Sequence, residues 1–138
     1  MANTVSDVRN AFKAIITAGV PGIIGYNTVP EVVQLPAFVV EPGDCNYQVG
    51  MGTCQDWEYF IYILVPRTES RANQDQLDAY ISVTGTSSVP AALRASKTLG
   101  LTGIDTSLIR MSVYGGSFPA AAVPHIGARL HVRVLVTN

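Results

Sequence analysis

The chain has 138 residues, of which 48% are hydrophobic and only 14% are charged, and its formal net charge is −1. This length suits one domain, residues 1–138, with a core large enough to fold without staples. The charge balance argues against a strongly basic nucleic-acid-binding protein, and no apolar run reaches the roughly 18 residues of a membrane-spanning helix. The segment "MANTVSDVRNAF" lacks the pattern of a signal peptide, so we expect the chain to fold in a reducing cytosol.

The first third of the chain predicts one helix followed by strands. Residues 3–18 carry apolar side chains at helical spacing, and Asn3 or Thr4 is placed to cap the first turn. The segment "GIIGYNTVP" contains a short apolar piece that suits a strand. Residues 37–41 predict a second strand, which we expect to end in a turn at "PGD", residues 42–44.

The strongest strand pattern in the chain is "WEYFIYILVP", residues 57–66. Both of its faces are largely apolar, which is typical of a strand buried on both sides. One face could meet a helix and the other a neighbouring subunit. One face of the strand carries Trp57, Tyr59, Ile61, Ile63 and Val65, and the other face carries Glu58, Phe60, Tyr62 and Leu64.

The second half predicts two helices, a loop and two strands. The helices fall within residues 67–82 and 85–96, and we expect residues 98–107 to form a loop. The strands fall at 108–116 and 128–138, and the last strand alternates apolar and polar side chains. The order of elements predicts an α+β fold: one mixed sheet of about four to five strands, two to three helices mainly on one face, and a projecting hairpin.

Candidate chemical groups are few and scattered. Cys45, Cys54, His125 and His131 could be imagined as a metal site, but their spacing matches no zinc pattern. A cysteine–histidine pair could in principle act as a nucleophile and base. The simpler interpretation is a loop thiol and a surface histidine, with Asp75 and Asp78 on a solvated helix face. We therefore expect no enzyme activity, no metal and no cofactor.

Basic side chains on the last two strands allow two interpretations. If these strands pair, Arg110, Arg129, His131 and Arg133 form one band on the sheet. Such a band could face a channel that carries DNA. A solvated sheet face is the alternative, and the residues favour it.

The order and spacing of several segments resemble the tail terminator proteins of long-tailed, siphovirus-type bacteriophages. The resemblance begins with the leading helix and "YNTVPEVVQLPAFVVEPGD", which includes Val29 and Pro30. After a loop it continues through "WEYFIYILVPRTESRANQDQLDAYI". "GTSSVPAALRASKTLG" is similar to a segment of such proteins from phages of actinobacteria. The resemblance covers nearly the whole chain, and no single motif in it is catalytic.

This resemblance implies a structural virion protein located in the tail and neck. Members of the family form a homo-hexameric ring that caps the tail tube and stops its polymerisation. The implied partners are the tail tube protein on one side, a head-completion or stopper protein on the other, and DNA that passes through the lumen without sequence-specific binding. No membrane and no cofactor are implied.

Within this frame, we expect the loop around "CNYQVGMGTC" to project as a hairpin and contact a neighbouring subunit or ring. The interface candidates are Tyr47, Val49, Met51, Trp57 and Tyr59, and the channel-facing candidates are Arg110, Arg129 and Arg133. In a hairpin with equal arms, Cys45 lies opposite Cys54, within reach of a disulfide. Cytoplasmic assembly favours free thiols at first, so the bond is one of two alternatives.

Three other functions remain open at the level of sequence. A stopper, head-completion or tube protein of the same particles would also assemble as a virion component, although tube proteins are usually richer in strand. A small enzyme that uses a cysteine–histidine pair is the main alternative from another class. A nucleic-acid-binding module is the third, and its binding would weaken steeply with salt.

Overall fold

The computed structural model describes residues 4–20, 22–26, 36–46, 54–66, 71–101, 103–116 and 125–137. Within these residues, one mixed sheet of five strands packs against three helices, which confirms the predicted α+β class. The elements in chain order are α1 (Val5–Gly19), β1 (Ile24–Tyr26), β2 (Ala37–Asn46), β3 (Cys54–Pro66), α2 (Arg71–Ile81), α3 (Val89–Ala95), β4 (Ile104–Gly116) and β5 (His125–Thr137).

The strands lie in the order β1-β2-β3-β5-β4, so the two longest ladders join the middle of the sheet to its β4 edge. β1 runs parallel to β2 and covers only its first three residues, whereas every other pair of neighbours is antiparallel. Among the described residues, two strands therefore have an edge without a strand partner. β4 is the last strand on one side, and on the other side β2 is left uncovered by β1 from Val40 onward.

Helix α1 begins where the sequence predicts. The Thr4 side chain accepts a hydrogen bond from the Asp7 amide at 3.1 Å, and the Asp7 carboxylate accepts one from the Thr4 amide at 2.9 Å. This reciprocal capping box satisfies amides that have no partner inside the helix. The buried stripe Val8, Phe12 and Ile16 then faces the sheet.

The main core lies between the three helices and one face of the sheet. Phe12 packs on Tyr59 with ring centroids 5.3 Å apart, and the Tyr59 hydroxyl donates to the backbone oxygen of Val5 at 3.1 Å. Burying each such side chain contributes roughly 1.5–3 kcal/mol. The strand residues of this core include the predicted set Trp57, Tyr59, Ile61, Ile63 and Val65, together with Leu130, Val132, Val134 and Val136.

Two local expectations are wrong. The "PGD" segment does not end β2: residues 42–44 stay in the strand, which continues to Asn46 through a register shift between Pro42 and Cys45. A β-bulge accommodates the extra residue, so a turn signal in the sequence becomes a kink in a long strand.

Residues 98–107 are not all loop either, because β4 begins at Ile104. The Thr106 amide and hydroxyl both donate to the backbone oxygen of Lys97 at 2.9 Å and secure this start.

The two short helices cover the β4 side of the core. The Ser88 hydroxyl accepts from the Ala91 amide at 3.0 Å and caps α3, with Pro90 in the first turn. In α2, Leu77 and Tyr80 are buried and the intervening residues are exposed, which matches a helix on the outside of the domain. The sequence also places Thr68 to cap α2, and this residue lies outside the described residues.

Candidate functional site

The sheet face that no described helix covers, called here the second face, carries most of the polar chemistry. Its central feature is a chain of side chains that runs diagonally across three strands. Ser112 Oγ and His131 Nε2 are 2.8 Å apart, and His131 Nδ1 and Glu58 Oε1 are 3.5 Å apart. With the ring proton on Nδ1, the histidine donates to Glu58 and accepts from the Ser112 hydroxyl.

His131 is not the surface residue that the sequence predicts. Only 4% of it is exposed, and the Phe60 ring meets it edge-on with centroids 5.0 Å apart. The alternation of the last strand correctly places it opposite the core face. The pattern gives no sign of the burial, because the neighbouring strands supply the covering side chains.

The order of serine, histidine and carboxylate is also that of nucleophilic hydrolases, but the surroundings do not favour catalysis. The contact between His131 and Glu58 is at the outer limit of a hydrogen bond. Arg129 Nε lies 3.4 Å from Ser112 Oγ and donates to it, and the hydroxyl does not line the depression beside it. This set of residues is better suited to joining three strands than to attacking a substrate.

That depression is open, has a volume of about 340 Å³, and mixes both signs of charge. Arg133 forms an ion pair with Asp56 at 2.8 Å, and half of its side chain is exposed. The hydrogen bond from Arg133 to Asp56 is the main cause of the raised pKa of the guanidinium. The lining residues are Asp44, Asn46, Asp56, Glu58, Ile109, Arg110, His131 and Arg133.

The three channel-facing candidates therefore share one face but differ in their surroundings. Arg129 stacks over the Phe60 ring, 5.0 Å from its centroid, while Arg133 is neutralised by Asp56. Arg110 lies opposite His131 on the edge strand, and its side chain is exposed. No ion pair involves Arg110 within the described part of the chain. The pairing of β4 and β5 does form the predicted band, yet acids interleave with it.

The predicted opposition of Cys45 and Cys54 is wrong. Cys45 pairs with Trp57 across the β2–β3 ladder, three residues along β3 from Cys54, and Cys45 is a free cysteine. The bulge in β2 moves the register that equal hairpin arms would have given. Burial, followed by the nearby Asp44 charge, raises the pKa of the Cys45 thiol, so its reactive thiolate is disfavoured.

The two faces of the sheet also separate the members of one conceivable cysteine–histidine dyad. Cys45 packs against the core beneath the helices, whereas the His131 ring lies among second-face residues. These two groups cannot form a nucleophile–base pair, nor share a metal. The side chains of Cys54 and His125 lie outside the described residues.

The interface candidates divide into two groups. Trp57 is 4% exposed and Tyr59 is fully buried, and both belong to the core of this chain. The prediction is wrong for these two residues, because a neighbouring subunit cannot reach them. The other three candidates, Tyr47, Val49 and Met51, lie at the hairpin tip, outside the described residues.

The sequence patterns did not predict the surface that is most typical of an interface. The second half of β4 is exposed on both faces of the strand, and it carries large apolar side chains on an edge that pairs with no described strand. Val113 also adopts a φ of 55°, which is costly for a β-branched residue. The signal was present in "LIRMSVYGG", whose apolar residues do not follow strict alternation. The exposed residues are Ile109 at 57%, Val113 at 49%, and Met111 and Tyr114 at 41% each.

The described residues contain no group of three or more histidine, cysteine or acidic side chains that could hold a metal ion. Among the described helices, none is both long and apolar enough to cross a membrane.

A scan against protein-family models finds no match to this chain. A search of curated proteins likewise finds no significant match.

Proposed function

We propose that this protein is a ring-forming structural component of a phage tail, of the terminator type. In this role, copies assemble into a homo-hexameric ring that caps the tail tube, stops its growth and joins the tail to the head-side connector. The observation that carries the proposal is the long edge strand β4 with its exposed apolar side chains. Such an edge invites pairing with another chain and is normally protected in a protein that works alone.

The two faces of the sheet suit a wall around a channel. Helices cover one face, so the second face is the one that can line a lumen. Its arginines are largely engaged, by Phe60 and Ser112 for Arg129 and by Asp56 for Arg133. A lining with balanced charge would let DNA pass without holding it, because tight binding requires uncompensated cations along the phosphate backbone.

Capping of growing tubes tests this proposal. The full-length chain is added to the tail tube protein of the same phage during tube assembly, and tube length is measured by electron microscopy. We expect shorter tubes with a ring at one end and an effect that saturates at about one ring per tube. Unchanged lengths with bare tube ends would contradict the proposal.

The same experiment separates the other virion roles. A tube protein would be incorporated along the whole tube, and a stopper would bind only to ends that a terminator already caps. An enzyme is less well supported, since Cys45 and His131 lie on opposite faces and the Ser112 hydroxyl does not line the neighbouring depression.

A further inference from the structure

We infer that the ring closes by edge-to-edge pairing of sheets, with β4 of one copy beside β2 of the next copy and Arg110 facing Glu41. This inference rests on the proposed ring function and names the elements that would join the copies. It follows from the free edges, the strand directions, the register and the charges of the described residues.

Within the described part of the chain, both edges of the sheet lack a strand partner over the same stretch. On the free edge of β4, the described backbone groups form one hydrogen bond, in which the Thr106 amide donates to the backbone oxygen of Lys97. On β2, strand β1 stops at Val39, so Val40–Asn46 has no strand partner on that side among the described residues. The two free stretches lie at the same height, that is, at the same level along the strand direction. Cys45 pairs with Trp57, Trp57 pairs with Val134, and Val134 pairs with Thr106.

The strand directions are compatible with continuation into a neighbour. β2, β3, β5 and β4 alternate in direction, so β4 is antiparallel to β2 within one copy. A copy generated by rotation about an axis parallel to the strands keeps the direction of its own β2. That β2 is then antiparallel to the adjacent β4, which is the pairing that the rest of the sheet uses.

Charges complete the match. One row of directly paired residues runs Glu41, Phe60, His131 and Arg110 from edge to edge. It has an exposed acid at one end and an exposed cation at the other, on the same face of the sheet. A neighbour placed at the same height therefore brings Glu41 beside Arg110, and opposite charges across a strand pair stabilise it.

The pairing can extend only a short way beyond Arg110. Met111 lies at the height of Val40, whereas Ser112 and Gly116 lie at the heights of Tyr26 and Ile24, where β1 already pairs with β2. The stretch of β4 that can pair with β2 of a neighbour therefore ends near Met111. Pro42 has no amide hydrogen to donate, so the hydrogen-bonded part of the pairing is short and centred on Glu41.

Charge reversal gives the first test. Glu41→Arg and Arg110→Glu are made singly and together in the full-length chain, and assembly is followed by native mass spectrometry over a concentration series. Each single reversal places like charges at every contact, and we expect the half-assembly concentration to rise at least about tenfold. The double variant restores opposite charges and should assemble like the unaltered chain. Asp75→Lys, on the exposed surface of α2, is the matched control and should have no effect.

A cross-link gives the second test and does not depend on the reversed charges. Glu41→Cys and Arg110→Cys are combined in a chain where Cys45 and Cys54 are serine. Within one copy the two positions are three strand spacings apart, or about 14 Å, too far for a disulfide. Oxidised rings should therefore give a covalent ladder longer than a dimer, whereas each single-cysteine variant stops at a dimer.

The outcomes distinguish this inference from the proposed function. If rings form and cap tubes, but neither the reversals nor the cysteine pair has the expected effect, the edge pairing is wrong and the ring function stands. If the unaltered chain forms no ring and does not cap tubes, both are wrong. A folding defect is recognised by circular dichroism of the single variants and by failure of the double variant to recover.

Discussion

The two faces of the sheet are built on different principles. The face beneath the helices is apolar and continuous, and its strand residues from Trp57 to Val136 are almost fully buried. The second face is held together by directional contacts among a few polar and aromatic groups, such as Ser112, His131 and Phe60. Non-directional burial supplies most of the stability of a domain, while polar contacts fix particular partners. The face beneath the helices therefore supplies most of the folding stability, whereas under the proposed function the second face would line the passage for DNA.

The largest expected difference between the faces comes from two leucines on β5. Leu130 is 1% exposed in the main core, while Leu135 is 38% exposed on the second face. Leu130→Ala should lower the free energy of unfolding by about 2–5 kcal/mol, because it removes buried methyl groups and leaves a cavity. Leu135→Ala should cost less than about 0.5 kcal/mol.

Urea unfolding of the monomeric chain measures both values. Comparable losses for Leu130→Ala and Leu135→Ala would contradict the proposed division between the faces. A change in the slope of the transition would show that the denatured state had altered, and the comparison would then use Leu93→Ala in α3 as a second core variant.

The same division explains how far the sequence could predict the structure. Period-two and helical patterns depend on burial against a large apolar layer. They therefore identified the helices, β3 and the core-facing residues of β5. They contain no information on which strand lies beside β5. The contact between His131 and Ser112, and the free edge of β4, depend on that neighbour relation. The bulge at Pro42–Cys45 likewise determines which residue of β3 pairs with Cys45. In the sequence, the same residues look like a turn that ends the strand.

The next prediction concerns the polar contacts of the second face. Ser112→Ala leaves the buried Nε2 atom of His131 without its hydrogen-bond partner, and should cost about 1–3 kcal/mol of unfolding free energy. Ser107→Ala in the same strand is the control, because Ser107 is exposed, and should be near neutral. When His131 is first replaced by leucine, Ser112→Ala should lose most of its effect. An unchanged effect in that background would mean that Ser112 stabilises the strand by another route.

A smaller effect is expected for the arginines. Arg129→Lys removes the flat guanidinium that stacks on Phe60 and donates to Ser112, at a cost of about 0.5–1 kcal/mol. Arg133→Lys keeps a cation beside Asp56 at a half-exposed site and should lower stability less than Arg129→Lys does. Thermal unfolding of both variants in the same buffer compares them. Equal stability would show that the stacked geometry of Arg129 contributes nothing.

The smallest expected effect is a change of stability with pH from Cys45 on the helix side of the sheet. Burial raises the pKa of this thiol above its ordinary value of 9.0, so the folded state holds the proton more tightly than the unfolded state does. The resulting stabilisation is complete below the ordinary pKa and is lost as pH rises through the folded pKa. Cys45→Ala should therefore flatten the loss of stability just above pH 9, before the tyrosines with raised pKa values, Tyr62, Tyr80 and Tyr114, contribute. Alkylation in a Cys54→Ser chain provides the independent measurement: iodoacetamide should react more slowly with the folded protein than with the chain in urea, and equal rates would place the thiol in solvent rather than against the core.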